Sequence, residues 1–119
     1  ALKNKHVDIA IIGTGTSGMG AYREARKYTD SIALIEGGEY GTTCARVGCM
    51  PSKLLIAPAE LRHNTEKFTD FGLQGEVPKV DGKAVMNRVK FERDRFVGFV
   101  NEDVESFDQK HQVKNNKLF

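Results

Sequence analysis

Short runs of aliphatic, β-branched residues alternate with longer amphipathic stretches along the chain. The first run, residues 7–12, is too short for a helix and predicts a strand buried on both faces. A second run, residues 31–35, ends at Glu36 and predicts another buried strand. Between the two runs, small residues at positions 18, 21 and 25 predict one helical face lying close against a sheet. This order predicts a βαβ unit with a right-handed crossover.

The second half of the chain reads as mostly helical. Residues 38–51 are glycine-rich and contain both cysteines, and a helix is predicted from residue 52 to about 67, with Pro58 kinking it or lying in its first turns. A loop over residues 68–82 precedes a long helix to about residue 109, and residues 111–119 begin another strand or turn. We expect the apolar stripe of this long helix to pack against parts of the protein outside this chain rather than to form a dimer contact. The stripe consists of Val85, Val89, Phe96, Val100 and Phe107.

Composition narrows the class of protein. A chain of 119 residues with 39% hydrophobic and 29% charged residues has the size and balance of one soluble domain. Its net charge of +2 comes from interspersed charges, which does not favour a nucleic-acid partner. No apolar run is long enough to span a membrane, and the first residues lack a secretory signal, so we expect a cytoplasmic protein. Two cysteines are too few for a secreted disulfide scaffold.

The first chemical signal is the pattern Gly13-x-Gly15-x-x-Gly18, which follows a predicted strand and opens a predicted helix. In a dinucleotide site, Gly13 permits the tight turn, Gly15 admits the pyrophosphate and Gly18 lets helix and strand pack closely. The helix N-terminus attracts phosphate, and Glu36 can accept hydrogen bonds from an adenosine ribose while repelling a 2′-phosphate. The alternative is a glycine-rich turn with an incidental Glu36. The motif does not choose between a flavin and a nicotinamide dinucleotide.

The second signal is the pair Cys44 and Cys49, five residues apart. In a regular helix the rise alone would separate their α-carbons by about 7.5 Å, beyond the usual reach of a disulfide. A bond between them therefore needs a distorted or non-helical backbone, which Gly48 and Pro51 allow, and strained disulfides are typically the catalytic or labile ones. The alternatives are two unlinked cysteines or half of a metal site. A zinc site needs about four ligands, and the three histidines have no matching spacing.

Together these residues resemble the N-terminal part of the FAD-dependent pyridine nucleotide–disulfide oxidoreductases. The family has a dinucleotide fingerprint, an acidic residue ending the second strand and a paired-cysteine segment, which stands here at residues 41–53. Within the family, Pro51-Ser52-Lys53 resembles dihydrolipoamide dehydrogenases and mercuric reductases more than glutathione reductases. The resemblance implies a Rossmann-like α/β fold with a parallel sheet, followed by long helices. It divides the chain into a βαβ unit at residues 6–36, the redox segment and a helical segment at residues 54–110.

The resemblance also implies the site. The first glycine-rich unit would bind FAD, and NAD would be bound by a domain outside this chain. Cys49 would be the thiol next to the flavin, forming a charge-transfer pair when reduced, and Cys44 the thiol that exchanges with the substrate. Glu36 would hold the adenosine ribose, and Lys53 would lie near the isoalloxazine. The full set of expected cofactor-binding residues is Gly13, Gly15, Thr16, Ser17, Gly18, Glu36, Gly37, Thr42, Thr43 and Lys53.

Two positions depart from the family pattern. Thr42 stands where glycine is usual, which is costly if the position needs positive φ, and Arg46 stands where asparagine is usual. The family's catalytic histidine belongs to a region beyond these residues, and we expect His6, His63 and His111 to be surface residues. The resemblance therefore implies that the chain is a fragment of a larger enzyme, and we expect it to be inactive alone and homodimeric when complete.

The leading expectation is an enzyme that passes electrons between a dithiol, such as dihydrolipoamide or a lipoyl group, and NAD. Mercuric reductase-like or glutathione reductase-like chemistry, a non-catalytic nucleotide-binding redox module and a bare α/β domain are the alternatives.

Overall fold

The structure is a computed structural model, and it describes residues 4–114. The described chain forms two compact units, residues 4–43 with 97–114 and residues 44–96. Two short 3₁₀ turns lie at Phe68–Phe71 and Gln109–His111. The strands and α-helices in chain order are β1 (Ile9–Ile12), α1 (Thr16–Ala25), β2 (Ile32–Glu36), α2 (Thr43–Val47), α3 (Cys49–Thr65), α4 (Gly82–Glu105) and β3 (Gln112–Lys114).

The sheet of the first unit has three parallel strands in the order β1-β2-β3. Ile9 pairs with Ile32 at one end, and Glu36 pairs with Lys114 at the other. Parallel strands need a crossover connection, which α1 supplies between β1 and β2. These features confirm the predicted α/β class. Of the strand or turn predicted over residues 111–119, residues 112–114 form the strand β3, and residues 115–119 lie outside the described residues.

Helix α1 packs on one face of this sheet, but by a different stripe from the predicted one. Ala25 is buried as expected, whereas Ala21 is exposed and Tyr22 is completely buried. The face of α1 that lies against the sheet therefore contains Tyr22, four positions after Gly18, and not Ala21, three positions after it. Tyr22 stacks on Phe107 with ring centroids 4.4 Å apart, so the helix buries an aromatic ring where the sequence suggested a methyl group.

The core of this unit covers one side of β1 only. Ile11 joins the hydrophobic cluster together with Leu34 and Val104, and each fully buried side chain of this size contributes about 1.5–3 kcal/mol. On the other side of the strand, Ala10 is exposed and Ile12 has 69% of its surface accessible. The prediction that the first strand is buried on both faces is therefore wrong, because within the described residues the cluster lies on the Ile11 side alone.

The second unit is built from helices and contains both cysteines. α3 begins at Cys49 rather than at residue 52, and Pro58 lies in its interior rather than in its first turns. Residues of α3, the following loop and the start of α4 line an apolar groove of about 530 Å³. No described helix is both long and apolar enough to cross a bilayer.

Residues of the predicted apolar stripe pack within each of the two units. In the second unit Val85 lines the groove and Val89 is buried. In the first unit Val100 packs against the hydrophobic cluster, and Phe107, just beyond the helix, belongs to it. The expectation that this stripe packs against parts outside the chain is thus wrong for Val100 and Phe107.

Candidate functional site

The glycine loop joins β1 to α1 with the geometry that a phosphate site requires. Gly13 has a φ of 99°, which favours glycine, and its N–H donates to the carbonyl oxygen of Ile35 at 2.7 Å. Gly15 is the N-cap of α1 and makes no side-chain capping bond. The first N–H groups of the helix have no partners within the helix and lie at its positive end. They are therefore suited to an anion.

Two glycines of this loop meet different surroundings. A Cβ built at Gly18 would lie 1.8 Å from the carbonyl oxygen of Gly13, so the approach of helix to loop excludes any side chain there. A Cβ built at Gly15 would meet no atom within 4 Å. The fold therefore needs glycine at position 18, whereas the open space at position 15 fits the close approach of a ligand. Thr16 and Ser17, the next predicted binding residues, are exposed at the start of α1.

Glu36 ends β2 beside this loop, as the motif predicted, and its carboxylate is strongly hydrogen-bonded. The backbone N–H and the hydroxyl of Thr14 both donate to Oε2 at 2.8 Å, and the N–H of Gly38 donates to Oε1 at 2.8 Å. Burial opposes ionisation, but the donors from Thr14, Gly38 and Gly37 outweigh it and hold the pKa of Glu36 below its usual value. Glu36 is thus an ionised acceptor facing the loop, with the exposed Gly37 among its donors.

The segment between Glu36 and the cysteines contains a strained residue. Thr42 has a φ of 61°, and it is the one non-glycine residue with positive φ in the described range. A β-branched side chain in this region costs about 1–2 kcal/mol. This position does require the conformation that favours glycine, as the sequence suggested, and threonine adopts it. Thr43, the next predicted residue, is exposed and starts α2.

Cys44 and Cys49 lie on either side of a helix break, in the second unit. Cys44 is in α2, Cys49 is the first residue of α3, and Gly48 between them has φ −119° and ψ −112°. The predicted non-helical backbone between the cysteines is therefore present. Both cysteines are thiols in this structure, with Cys44 half-buried and Cys49 exposed. A hydrogen bond with Cys49 is the main reason that the pKa of the Cys44 thiol is raised, with burial and the charge of Cys49 adding to it.

Lys53 follows one helical turn after Cys49 and is exposed. Its positive charge acts to lower the pKa of Cys44, against the larger effect of Cys49. The second unit therefore brings together two thiols and one ammonium group. This arrangement can exchange a disulfide with another thiol and stabilise the thiolate that results.

The predicted residues thus fall into two groups, one in each unit. The glycine loop, Glu36, Gly37, Thr42 and Thr43 belong to the first unit, and both cysteines and Lys53 to the second. Thr14 had no predicted role, yet its two hydrogen bonds to Glu36 are among the shortest in the site. The sequence feature that could have indicated a role for Thr14 is its position, as a polar, β-branched residue between two glycines of the motif.

His111 was predicted to lie on the surface, and that prediction is wrong, since only 4% of it is exposed. Its Nδ1 lies 2.8 Å from the hydroxyl of Tyr22, and its Nε2 lies 2.9 Å from the carbonyl oxygen of Asp30. Lys110 pairs with the Asp30 carboxylate at 2.5 Å and with the Asp108 carboxylate at 3.5 Å, so both carboxylates beside His111 have a lysine as counter-ion. His6 and His63 are exposed, as predicted.

A parallel βαβ unit with a glycine loop and an acidic strand end, followed by two thiols on either side of a helix break, is typical of dinucleotide-binding redox proteins. The sequence pattern of the pyridine nucleotide-disulphide oxidoreductases matches residues 7–118, and the chain belongs to this family. The family is one of flavoproteins, so FAD is the dinucleotide that such a loop generally binds.

Known relatives include enzymes with three different names. The chain is 41% identical over 81 residues to a mercuric reductase of Streptomyces lividans, which covers 67% of this chain and 17% of that enzyme. It is 31% identical over 109 residues to a glutathione reductase of Yarrowia lipolytica, and this alignment covers 92% of the chain and 23% of that enzyme. A dihydrolipoyl dehydrogenase of Corynebacterium glutamicum is 38% identical over 74 residues, and this alignment covers 61% of the chain and 16% of that enzyme. The chain therefore spans less than a quarter of the length of these relatives.

Proposed function

We propose that this chain is the FAD-binding and disulfide-bearing segment of a flavoprotein that oxidises or reduces sulfur groups. The single observation that supports this most is the placement of Cys44 and Cys49 on either side of the helix break at Gly48, within the segment that matches the family pattern. In an exchange step, a substrate dithiol is oxidised to its disulfide while the Cys44–Cys49 disulfide is reduced to two thiols. Two electrons and two protons pass from one sulfur pair to the other, so the step balances.

The residues of the first unit fit FAD. The uncapped start of α1 and the open space at Gly15 suit the pyrophosphate, and Glu36 suits the adenosine ribose. When bound, FAD supplies the two-electron chemistry that connects thiols to a pyridine nucleotide. Because Glu36 is a carboxylate, it disfavours a 2′-phosphate at the same position. Lys53 and Thr43 are proposed to bind the flavin end.

For the substrate we propose a dithiol of the dihydrolipoamide type, with NAD as the electron acceptor and a homodimer as the active form. The proposal draws on the Pro51-Ser52-Lys53 ending and on the similarity to a dihydrolipoyl dehydrogenase. A mercuric ion is the second candidate substrate, because a mercuric reductase is 41% identical over 81 residues. The cysteine pair can serve either chemistry, since its disulfide is reduced by a dithiol through exchange and its thiolates coordinate soft metal ions.

The test is an anaerobic titration of the full-length protein with dihydrolipoamide, followed by its visible absorption spectrum. We expect a flavin spectrum that gains a long-wavelength band as a thiolate forms beside the flavin. Turnover is then measured in three assays. Dihydrolipoamide is oxidised with NAD, whereas glutathione disulfide and mercuric ion are each reduced with a reduced pyridine nucleotide. Turnover with dihydrolipoamide supports the first candidate and turnover with mercuric ion the second. A protein without flavin that takes up no added FAD would contradict the function as a whole.

A further inference from the structure

Thr14 is a buried polar residue inside the glycine loop, with only 2% of its surface exposed. Its backbone N–H and its hydroxyl both donate to the same atom, Oε2 of Glu36, and both distances are 2.8 Å. The two residues are 22 positions apart in the chain. Thr14 therefore connects the loop after β1 to the end of β2 by two hydrogen bonds to a charged group, which are stronger than bonds between neutral groups.

The two sides of the Glu36 carboxylate are held differently. Oε2 receives its donors from the buried Thr14, whereas Oε1 receives the N–H of Gly38, an exposed loop residue. A carboxylate oxygen accepts about two hydrogen bonds, so Thr14 alone can occupy Oε2. The donor on this side, Gly38, is exposed, so water or a ligand can reach it. Oε2 is thus the anchored side and Oε1 the side open to exchange.

We propose that Thr14 is a positioning residue for nucleotide binding: it anchors Oε2 of Glu36 so that the Oε1 side of the carboxylate meets the 2′-hydroxyl of the adenosine ribose. This inference rests on the proposed function, because it assumes that Glu36 meets that ribose. An acceptor fixed before the ligand arrives loses less conformational entropy on binding. Thr14 thereby contributes to the selection of a ribose with a free 2′-hydroxyl without touching it.

A purely structural role for Thr14 makes a different prediction. If its hydroxyl only stabilised the glycine loop, its removal would weaken the binding of every FAD analogue by the same factor. If it positions Glu36, its removal weakens the binding of FAD more than the binding of an analogue that lacks the 2′-hydroxyl. The ratio of the two affinities therefore separates the roles.

The experiment uses the full-length apoprotein, titrated with FAD and with FAD lacking the adenosine 2′-hydroxyl, with flavin fluorescence as the readout. We expect the wild type to prefer FAD about tenfold, as for one hydrogen bond to a charged group. Thr14→Val, which keeps the shape and the backbone N–H but removes the hydroxyl donor, should reduce this preference to about threefold or less. Thr14→Ser, which keeps the hydroxyl, should retain the wild-type preference.

An equal loss of affinity for both ligands in Thr14→Val, or an unchanged preference, would overturn the inference. So would a wild type that binds both ligands equally well. A wild type that takes up neither ligand would contradict the proposed function itself, which is a separate outcome. If Thr14→Val does not fold, Thr14→Ala, which also removes the hydroxyl donor, provides the same comparison, and Glu36→Gln tests the acceptor. We expect Glu36→Gln to lose the preference even with Thr14 present, and a Glu36→Gln variant that keeps it would count against the inference.

Discussion

The unit that contains the glycine loop and the unit that contains the cysteines are held by different kinds of contact. In the first unit the loop and strand ends hold one another, as in the bond from Gly13 to Ile35 and the two from Thr14 to Glu36. In the second unit Cys49 is exposed, and none of the 17 residues of α3, all within the described range, is buried. Changes in the first unit should therefore affect stability and binding together, whereas changes at the cysteines should affect chemistry alone.

The largest expected effect is on chemistry. Cys49→Ser in the full-length protein should lower dithiol–nucleotide turnover at least about a hundredfold, because a hydroxyl forms no disulfide and is a far weaker nucleophile than a thiolate. Its unfolding temperature should not change, since substitutions of exposed residues alter stability by about 0.5 kcal/mol or less. Turnover assays and thermal unfolding check the two halves of this prediction. Val47→Ala, exposed between the cysteines, is the matched control with normal turnover.

Gly18→Ala tests the opposite region. The added Cβ would lie 1.8 Å from the carbonyl oxygen of Gly13, so loop and helix must move apart, at a cost of about 3 kcal/mol. We expect a lower urea midpoint together with weaker FAD binding in the full-length protein. Gly20→Ala, in the same helix with no atom within 4 Å of its added Cβ, should instead be neutral or stabilising by up to about 1 kcal/mol. Equal behaviour of the two variants would show that the loop is not tightly packed.

A smaller effect is expected at Thr42, between the two regions in sequence. Thr42→Gly removes the strain of a β-branched residue at φ 61° but makes the unfolded chain more flexible, so the net gain is about 0.5 kcal/mol. The unfolding midpoint of the full-length protein measures it. Thr43→Gly, at the first residue of α2, should lower the midpoint, because glycine is unfavourable in a helix. A loss of stability in Thr42→Gly would mean that the interactions of the threonine side chain outweigh the strain.

The smallest effect concerns pH. The pKa of Glu36 is lower in the folded chain than in the unfolded one, so its ionised form stabilises the fold above the unfolded pKa. This contribution should disappear as the pH falls through the lowered folded pKa. We expect Glu36→Gln to have a flatter stability profile below about pH 4.3 than the wild type. An unchanged profile in Glu36→Gln would assign the acid sensitivity to other carboxyl groups.

Local patterns in the sequence were enough to predict the elements and the motif positions. Two β-branched runs around a glycine loop predicted β1, α1 and β2, and the parallel sheet confirms them. The spacing of the cysteines predicted a break between them, which Gly48 provides. Such features depend on steric limits within a few residues, and those limits act wherever the segment lies in the fold.

Contacts between residues far apart in the chain could not be predicted from the sequence. His111 gives no sign of burial among its polar neighbours, yet Tyr22 and Asp30 enclose its ring from more than 80 positions away. Similarly, Thr14 looks like a spacer between glycines until β2 brings Glu36 beside it. Only the tertiary structure decides which polar groups become buried together, because a hydrogen bond to a buried partner depends on where the whole chain places that partner.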